Sequence, residues 1–395
     1  MEFFKKRLAN GLTVLFEPRN LPVVSCSASV NWGAAFEPEN VKGISHFIEH
    51  LMFKGTRTRE QEEIAREIEK KGGILNAFTS EEVTSYWCKL PSKHIDSGLA
   101  IPSDLILNPK FDAVEFEKEK NVIIEEIKMY HDNPRAYVTD KIKEMLYKKP
   151  FGISIAGKEE IVRKLTRKQV IDMFNSKYTS DSMIMTVVGD ADFSEICSRA
   201  EKLFPATKRK LIEHSPEKTN NEAIEKRKGI DQTHFMFGFH SPSLKDKDRY
   251  FYELVGAYLF DGMSSRLWQE IREKRGLVYS VKGDFDLGYR YGYCMIYAGT
   301  KAEKIKEIKK IILQEMKKVR SMKQRDLDEC KEQLIGMKKV AEEDSSSAMN
   351  SIMIEEIGGD AGEYYKYEER INSVKLDSIK NFKLKDYSTF SLIPE

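Results

Sequence analysis

The chain has 395 residues, 41% hydrophobic and 32% charged, enough for two domains with sizeable cores beneath a heavily solvated surface. Its 65 Lys and Arg against 63 Asp and Glu leave a formal charge of +2, a balance that argues against a dedicated nucleic-acid binder. No apolar run reaches the roughly 18 residues of a membrane span, the N-terminus lacks the pattern of a signal peptide, and five scattered cysteines without a CxxC argue against a disulfide framework or zinc finger; a reduced, cytoplasmic protein is expected.

Residues 12–16 and 23–30 read as the two strands of a hairpin. Residues 43–53 carry an apolar helical pattern that stops at Gly55, and 60–71 a charged amphipathic helix closed by Gly72-Gly73. The run ILNAFTSEEVTSYWCKL is rich in β-branched and aromatic residues and reads as a strand or strand pair; 95–107 and 112–130 follow as helices, and 183–188 as a strand. Residues 205–229, polar, charged and with two prolines, are the best linker segment. Beyond it come a strand at 235–239, an apolar helix at 250–260, the amphipathic helix SSRLWQEIREKRG, strands in VYSVKGDFD and YGYCMIYAG, and helices at 304–320 and 326–342.

The halves share an order of elements. FIEHLMFKGT, AREIEKKGG and ILNAFTS run parallel to LVGAYLFDGM, WQEIREKRG and LVYSVKG, and an offset of 207 lays Gly55 on Gly262. The expectation is an α+β fold of two homologous domains, each a mainly antiparallel sheet with helices packed on one face: residues 1–208, a linker at 209–228, and residues 229–395.

The sharpest motif is His46-Phe47-Ile48-Glu49-His50. Positions i and i+4 of a helix share one face, so two imidazoles at that spacing can grip one Zn²⁺, with Glu49 close enough to reach a water beside it. A catalytic zinc needs a third protein ligand, and the helix EFEKEKNVIIEEIKMY offers two carboxylates for it. At about 100° per residue, Glu126 and Glu119 fall together with Val122, Ile123 and Tyr130 on the apolar face, whereas Glu125 falls with Lys118, Asn121 and Lys128. An inward carboxylate needs a partner, either a metal or histidine or an inward Lys or Arg.

HFIEHLMFKGT, GGILNAFTS and KNVIIEEIKMY, in that order, closely resemble the pitrilysin-like (inverzincin, M16) metallopeptidases, especially the short bacterial members similar to the mitochondrial processing peptidase β subunit. The resemblance spans nearly the whole chain, from GLTVLFEP to GMSSRLWQEIREKRGLVYSV. It implies one Zn²⁺ per chain held by His46, His50 and Glu126, the last 76 residues beyond the second histidine, with Glu119 orienting a ligand histidine and Glu49 as general base. It also implies that Arg272 and Tyr279, seven apart, face the metal and stabilise an oxyanion, although spacing alone fits a surface charge and a strand-packing ring equally well. Asn76, Ala77, Phe78 and Thr79 match an edge strand to which a peptide substrate adds, Asn76 holding its carbonyl; Phe78 also suits a core.

At the 207-residue offset His46, Glu49 and His50 fall on Glu253, Gly256 and Ala257, so the second domain is expected to lack a metal site. Long family members close four such domains around a chamber. For this two-domain chain the resemblance implies a homodimer, Arg272 and Tyr279 reaching the zinc of the other copy, and cleavage of short unfolded peptides without nucleic-acid or membrane partners. GDFDLGYRYGYCM has only scattered glycines where processing peptidases carry a glycine-rich loop, which argues against presequence processing. The alternative is a non-catalytic peptide-binding or scaffold subunit of a hetero-oligomer.

Overall fold

The computed structural model describes residues 2–208 and 214–395. Strands β1 (Phe4–Arg7), β2 (Thr13–Pro18) and β3 (Val23–Val30) precede helices α1 (Ile44–Met52) and α2 (Gln61–Glu69), then the hairpin β4 (Ile74–Thr79) and β5 (Thr84–Pro91). Helices α3 (Ile95–Leu107), α4 (Ala113–Asp132), α5 (Pro134–Leu146), α6 (Glu159–Lys164) and α7 (Arg167–Lys177) lead to β6 (Met183–Gly189) and α8 (Phe193–Leu203). The second half runs β7 (Glu222–Arg227), β8 (Thr233–His240), α9 (Arg249–Leu259), a π-helical turn (Trp268–Glu273), β9 (Ser280–Leu287) and β10 (Gly292–Thr300). It closes with α10 (Ile305–Lys318), α11 (Gln324–Ala341), α12 (Ser345–Ile357), α13 (Tyr367–Ser373), α14 (Leu376–Lys380) and β11 (Ser388–Pro394).

The chain divides into two units: Met1–Ile127, Ser154–His214 and Ala341–Tyr365 form the first, Lys128–Ile153, Ser215–Val340 and Lys366–Glu395 the second. The first sheet has the order β1-β2-β6-β3-β5-β4 and the second β7-β11-β8-β10-β9. Apart from the extra β1 the two orders correspond strand for strand, and each sheet has its one parallel pair at the same place, β2 with β6 and β7 with β11. The duplication inferred from the sequence is thus visible in the topology, and the expected two-domain α+β class holds.

Three expectations are corrected. Residues 12–16 and 23–30 are both strands but not a hairpin, because β6 is inserted between β2 and β3 and pairs with both. The segment 209–228 is not all linker: Glu222–Arg227 forms an edge strand, its alternating EAIEKR pattern half-buried, while 209–213 lie outside the described residues. Helices cover both faces of each sheet. In β3, Val24, Cys26, Ala28 and Val30 line the main core, and the serines between them mimic a wet face. That face is instead buried under α12, where Ser25 Oγ bonds Ser345 Oγ at 2.9 Å and Ala348, Met349, Ile352 and Met353 pack on Leu15 and Val188. In the second unit α5 does the same work on β8 and β11, so close that a Cβ at Gly238 would lie 2.6 Å from Ile142 Cγ1. No helix of the described residues is long and apolar enough to cross a membrane.

Candidate metal centre

Helix α1 begins where Gly43 adopts φ 99°, a left-handed conformation that glycine tolerates without strain. Its first turn is capped from a distance: the buried Glu37 carboxylate accepts from the Gly43 N–H at 2.8 Å and the Ser45 N–H at 2.6 Å. Lys42 Nζ lies 3.9 Å from the same carboxylate and donates to the Ala34 carbonyl at 2.6 Å. Phe47, Ile48 and Leu51 anchor α1 in the core, which leaves His46, Glu49 and His50 on the opposite, partly buried side. Phe116, Ile123 and Ile124 bury α4 against the same core and carry Glu119 inward. The apolar face of α4 is narrower than the wheel suggested, because Val122 is 49% and Tyr130 42% exposed. Glu119 and Glu126 nevertheless face the α1 histidines, and Glu125 is exposed, as expected.

One oxygen of Glu126 lies 3.3 Å from His50 Nε2 and 3.7 Å from His46 Nε2. A ligand atom from each of these three residues lies within 4.8 Å of the others, the only group of three such side chains among the described residues. Donors about 2.0–2.1 Å from a tetrahedral zinc stand about 3.3 Å apart, so the set fits that ion with small adjustments. The other oxygen system is equally ordered: Glu119 Oε2 faces His50 Nδ1 at 3.1 Å, and Lys54 Nζ bonds Glu119 Oε1 at 2.7 Å. Glu49, Glu119 and Glu126 bring three carboxylates to this corner of the unit, where Lys54 and the His50 ring face Glu119.

Burial and the neighbouring His50 push His46 down to about 4, so its ring is neutral at pH 7, the state a ligand needs. Its buried Nδ1 has no hydrogen-bond partner among the described residues. For His50, burial acts to lower the pKa, but the hydrogen bonds to Glu119 and Glu126 overcome it and raise the ring to about 9. Burial of Glu119 is likewise outweighed, by hydrogen bonds with His50 and Lys54 that hold it below the usual range.

Glu49 projects from α1 toward β4, where the Thr79 hydroxyl donates to its Oε2 at 2.5 Å. Burial pushes the Glu49 carboxyl up, with the Thr79 bond pulling against it, a setting suited to a group that gains and loses a proton. Strand β4 is the last of its sheet and pairs only with β5 among the described residues. Asn76 is exposed and its Oδ1 accepts from the Ala77 N–H at 2.8 Å; Ala77 and Phe78 are half-buried and pack on the two cores of this unit. Thr79, expected to meet substrate, thus also holds Glu49.

Arg272 and Tyr279 belong to the second unit. The expected amphipathic helix there is wound into a π turn, and Arg272 stacks its guanidinium over Trp268 at 4.1 Å. Tyr279 is 84% exposed, which excludes the strand-packing alternative. The positions of the second unit that correspond to the metal motif hold no ligand set: Glu253 accepts from the Tyr367 hydroxyl at 2.7 Å, and a Cβ at Gly256 would lie 2.6 Å from the Phe285 ring.

Sequence reasoning missed Glu37 and Lys54. Glu37 acts across a loop and has no local signature, but Lys54, four residues after His50, could have been found on the same helical face.

Residues 13–159 match the family model described as Insulinase (Peptidase family M16), and residues 164–334 the model described as Peptidase M16 inactive domain. The chain is 33% identical to an "Uncharacterized zinc protease" of Rickettsia felis over 98% of its own length and 95% of that protein's. It is 32% identical to "Uncharacterized zinc protease YmxG" of Bacillus subtilis, covering 86% of this chain and 85% of the other. Its fold matches a crystal structure of a protease from Helicobacter pylori with TM-score 0.92, at 21% identity and over 100% and 99% of the two chains.

Proposed function

Because the chain belongs to peptidase family M16, we propose that it is a zinc-dependent endopeptidase. The observation that carries this reading is the convergence of His46, His50 and Glu126 close to the Glu49 carboxylate. The names of the similar zinc proteases support the choice of ion. His46, His50 and Glu126 would hold the zinc, which would supply Lewis acidity for the scissile carbonyl and the attacking water. Glu49 takes the water proton on a carboxylate oxygen and hands it to the departing amine. Glu119 holds the His50 ring in place through Nδ1, and Thr79 holds Glu49. The substrate adds to the outer edge of β4 as a further strand, the Ala77 N–H exchanging the Asn76 amide for a peptide carbonyl. Backbone pairing of this kind implies broad sequence tolerance.

The proposal extends to assembly. Two copies form a chamber that admits short unfolded peptides, and Arg272 and Tyr279 of one copy would reach the metal site of the other, where they would stabilise negative charge developing on the scissile carbonyl. The exposure of Tyr279 supports its availability for such a contact. Mixing a His50→Ala copy with an Arg272→Ala copy should then restore part of the activity that each lacks alone; no recovery in a verified mixed dimer refutes the trans arrangement. Equal cleavage rates for a stable folded protein and a short peptide refute the chamber.

The central test is zinc stoichiometry together with mass-spectrometric mapping of cuts in a peptide library. Glu49→Gln should retain zinc and peptide while cleavage disappears. The match of residues 164–334 to an inactive domain favours one rival, a non-catalytic peptide-binding or scaffold subunit. That rival predicts no cuts by the wild type and no effect of Glu49→Gln.

A further inference from the structure

We propose that Lys54 is a positioning residue of the metal centre: it claims one oxygen of Glu119, aims the other at Nδ1 of His50, and thereby presents Nε2 of that ring to the metal. The inference rests on the zinc reading above but concerns a residue that the reading does not use.

The geometry is a bridge. Lys54 follows His50 by four residues, two beyond the end of α1, and the Glu119 carboxylate spans them, with Oε2 at 3.1 Å from His50 Nδ1 and Oε1 at 2.7 Å from Lys54 Nζ. Lys54 is held where it can do this. Its N–H closes the last turn on the Leu51 carbonyl at 3.1 Å, and Gly55, at φ 109°, turns the chain away immediately afterwards. A cation at that end also complements the helix dipole. Glu119 is only 4% exposed, so water does little to fix its carboxylate; a buried carboxylate bonded through one oxygen can still rotate about its last torsion, and one bonded through both cannot.

The bridge matters because the two histidines are unequal. Among the described residues the buried Nδ1 of His46 has no hydrogen-bond partner, so that side of the ring is held by packing. His50 is the ring held by hydrogen bonding, and Lys54 completes its support. Loss of an outer partner of a metal-bound histidine typically weakens metal binding about 10- to 100-fold.

The test is the zinc dissociation constant, measured by competition with a chromophoric chelator on the full chain. Lys54→Met should weaken zinc binding about 10- to 100-fold, and Lys54→Arg should recover most of the loss. If Lys54 acts through Glu119, adding Lys54→Met to Glu119→Gln should cost little beyond Glu119→Gln alone. Should Lys54→Met fail to fold, Lys54→Gln carries the same comparison. Affinity within twofold of wild type, or fully additive losses in the double variant, overturns the role of Lys54 and leaves the zinc reading intact. A wild type that binds zinc no better than a His46→Ala/His50→Ala variant overturns both.

Discussion

Replacing Glu37 with alanine should destabilise the first unit by about 3–5 kcal/mol, the range for breaking a buried ion pair from one side. The carboxylate is 1% exposed and Lys42 0%, so neither charge has water to fall back on. The substitution strips the Lys42 ammonium of its neighbour at 3.9 Å and leaves two N–H groups at the start of α1 without their acceptor. A surface cap alone is worth about 1 kcal/mol, so burial accounts for the difference. Adding Lys42→Met should recover most of the loss, because the ammonium then no longer has to be buried without that carboxylate. The chain has three tryptophans, and in a Trp268→Phe background the remaining Trp32 and Trp87 both report on the first unit. Urea unfolding of the zinc-free protein followed by their fluorescence gives the comparison. A Glu37→Ala variant within about 1 kcal/mol of its parent, or a double variant as damaged as the single one, refutes the reasoning.

Saturating zinc at about 100 times its dissociation constant should stabilise the wild type by about 2.7 kcal/mol; thermal unfolding with and without chelator checks this, and His50→Ala should show no such difference. Gly238→Ala should cost about 1–3 kcal/mol of overpacking, since the new methyl meets Ile142 Cγ1 at 2.6 Å, and the penalty should shrink in an Ile142→Ala background, which lacks that atom, in urea titrations. Asp344 caps α12 and bonds Lys89 at 2.7 Å; burial acts against its charge, but Lys89 and Ser346 hold its pKa down to about 2. Because an unfolded aspartate titrates near about 3.9, the unfolded chain takes up the proton first, so this contribution is complete above about pH 4 and lost as the pH falls toward 2. Urea midpoints measured across that window should flatten in Asp344→Asn.

Where sequence and structure agree, a local rule fixes the element. Glu60 and Glu63 form the capping box that starts α2, and Gly43 and Gly55 bracket α1. Pairing was less legible, because it depends on chain that arrives later. Nothing within residues 12–30 says that β6, more than 150 residues on, will separate β2 from β3. The alternating serines of β3 have the period of a half-exposed strand, and only the arrival of α12 makes them buried. The π turn at Trp268–Glu273 defeats a 3.6-residue period for the same kind of reason: its register includes a stacking contact between Trp268 and Arg272 that the pattern alone does not encode.

The site was more legible than the pairing because its geometry is mostly helical. His46 and His50 are fixed by one turn of α1, and Glu119 and Glu126 by two turns of α4, so a wheel could select the same carboxylates that the fold brings to the rings. What the wheel cannot say is whether the fold needs these residues, and the second unit answers that. It builds the same sheet order with Glu253, Gly256 and Ala257 at the corresponding positions, satisfying Glu253 with the Tyr367 hydroxyl and crowding Phe285 against Gly256. A tyrosine and a phenylalanine thus meet the packing demands of that helix without any histidine. The architecture stands either way, so two imidazoles and inward carboxylates in the first unit carry a desolvation cost that folding does not require, and under the proposed function a bound cation would offset it.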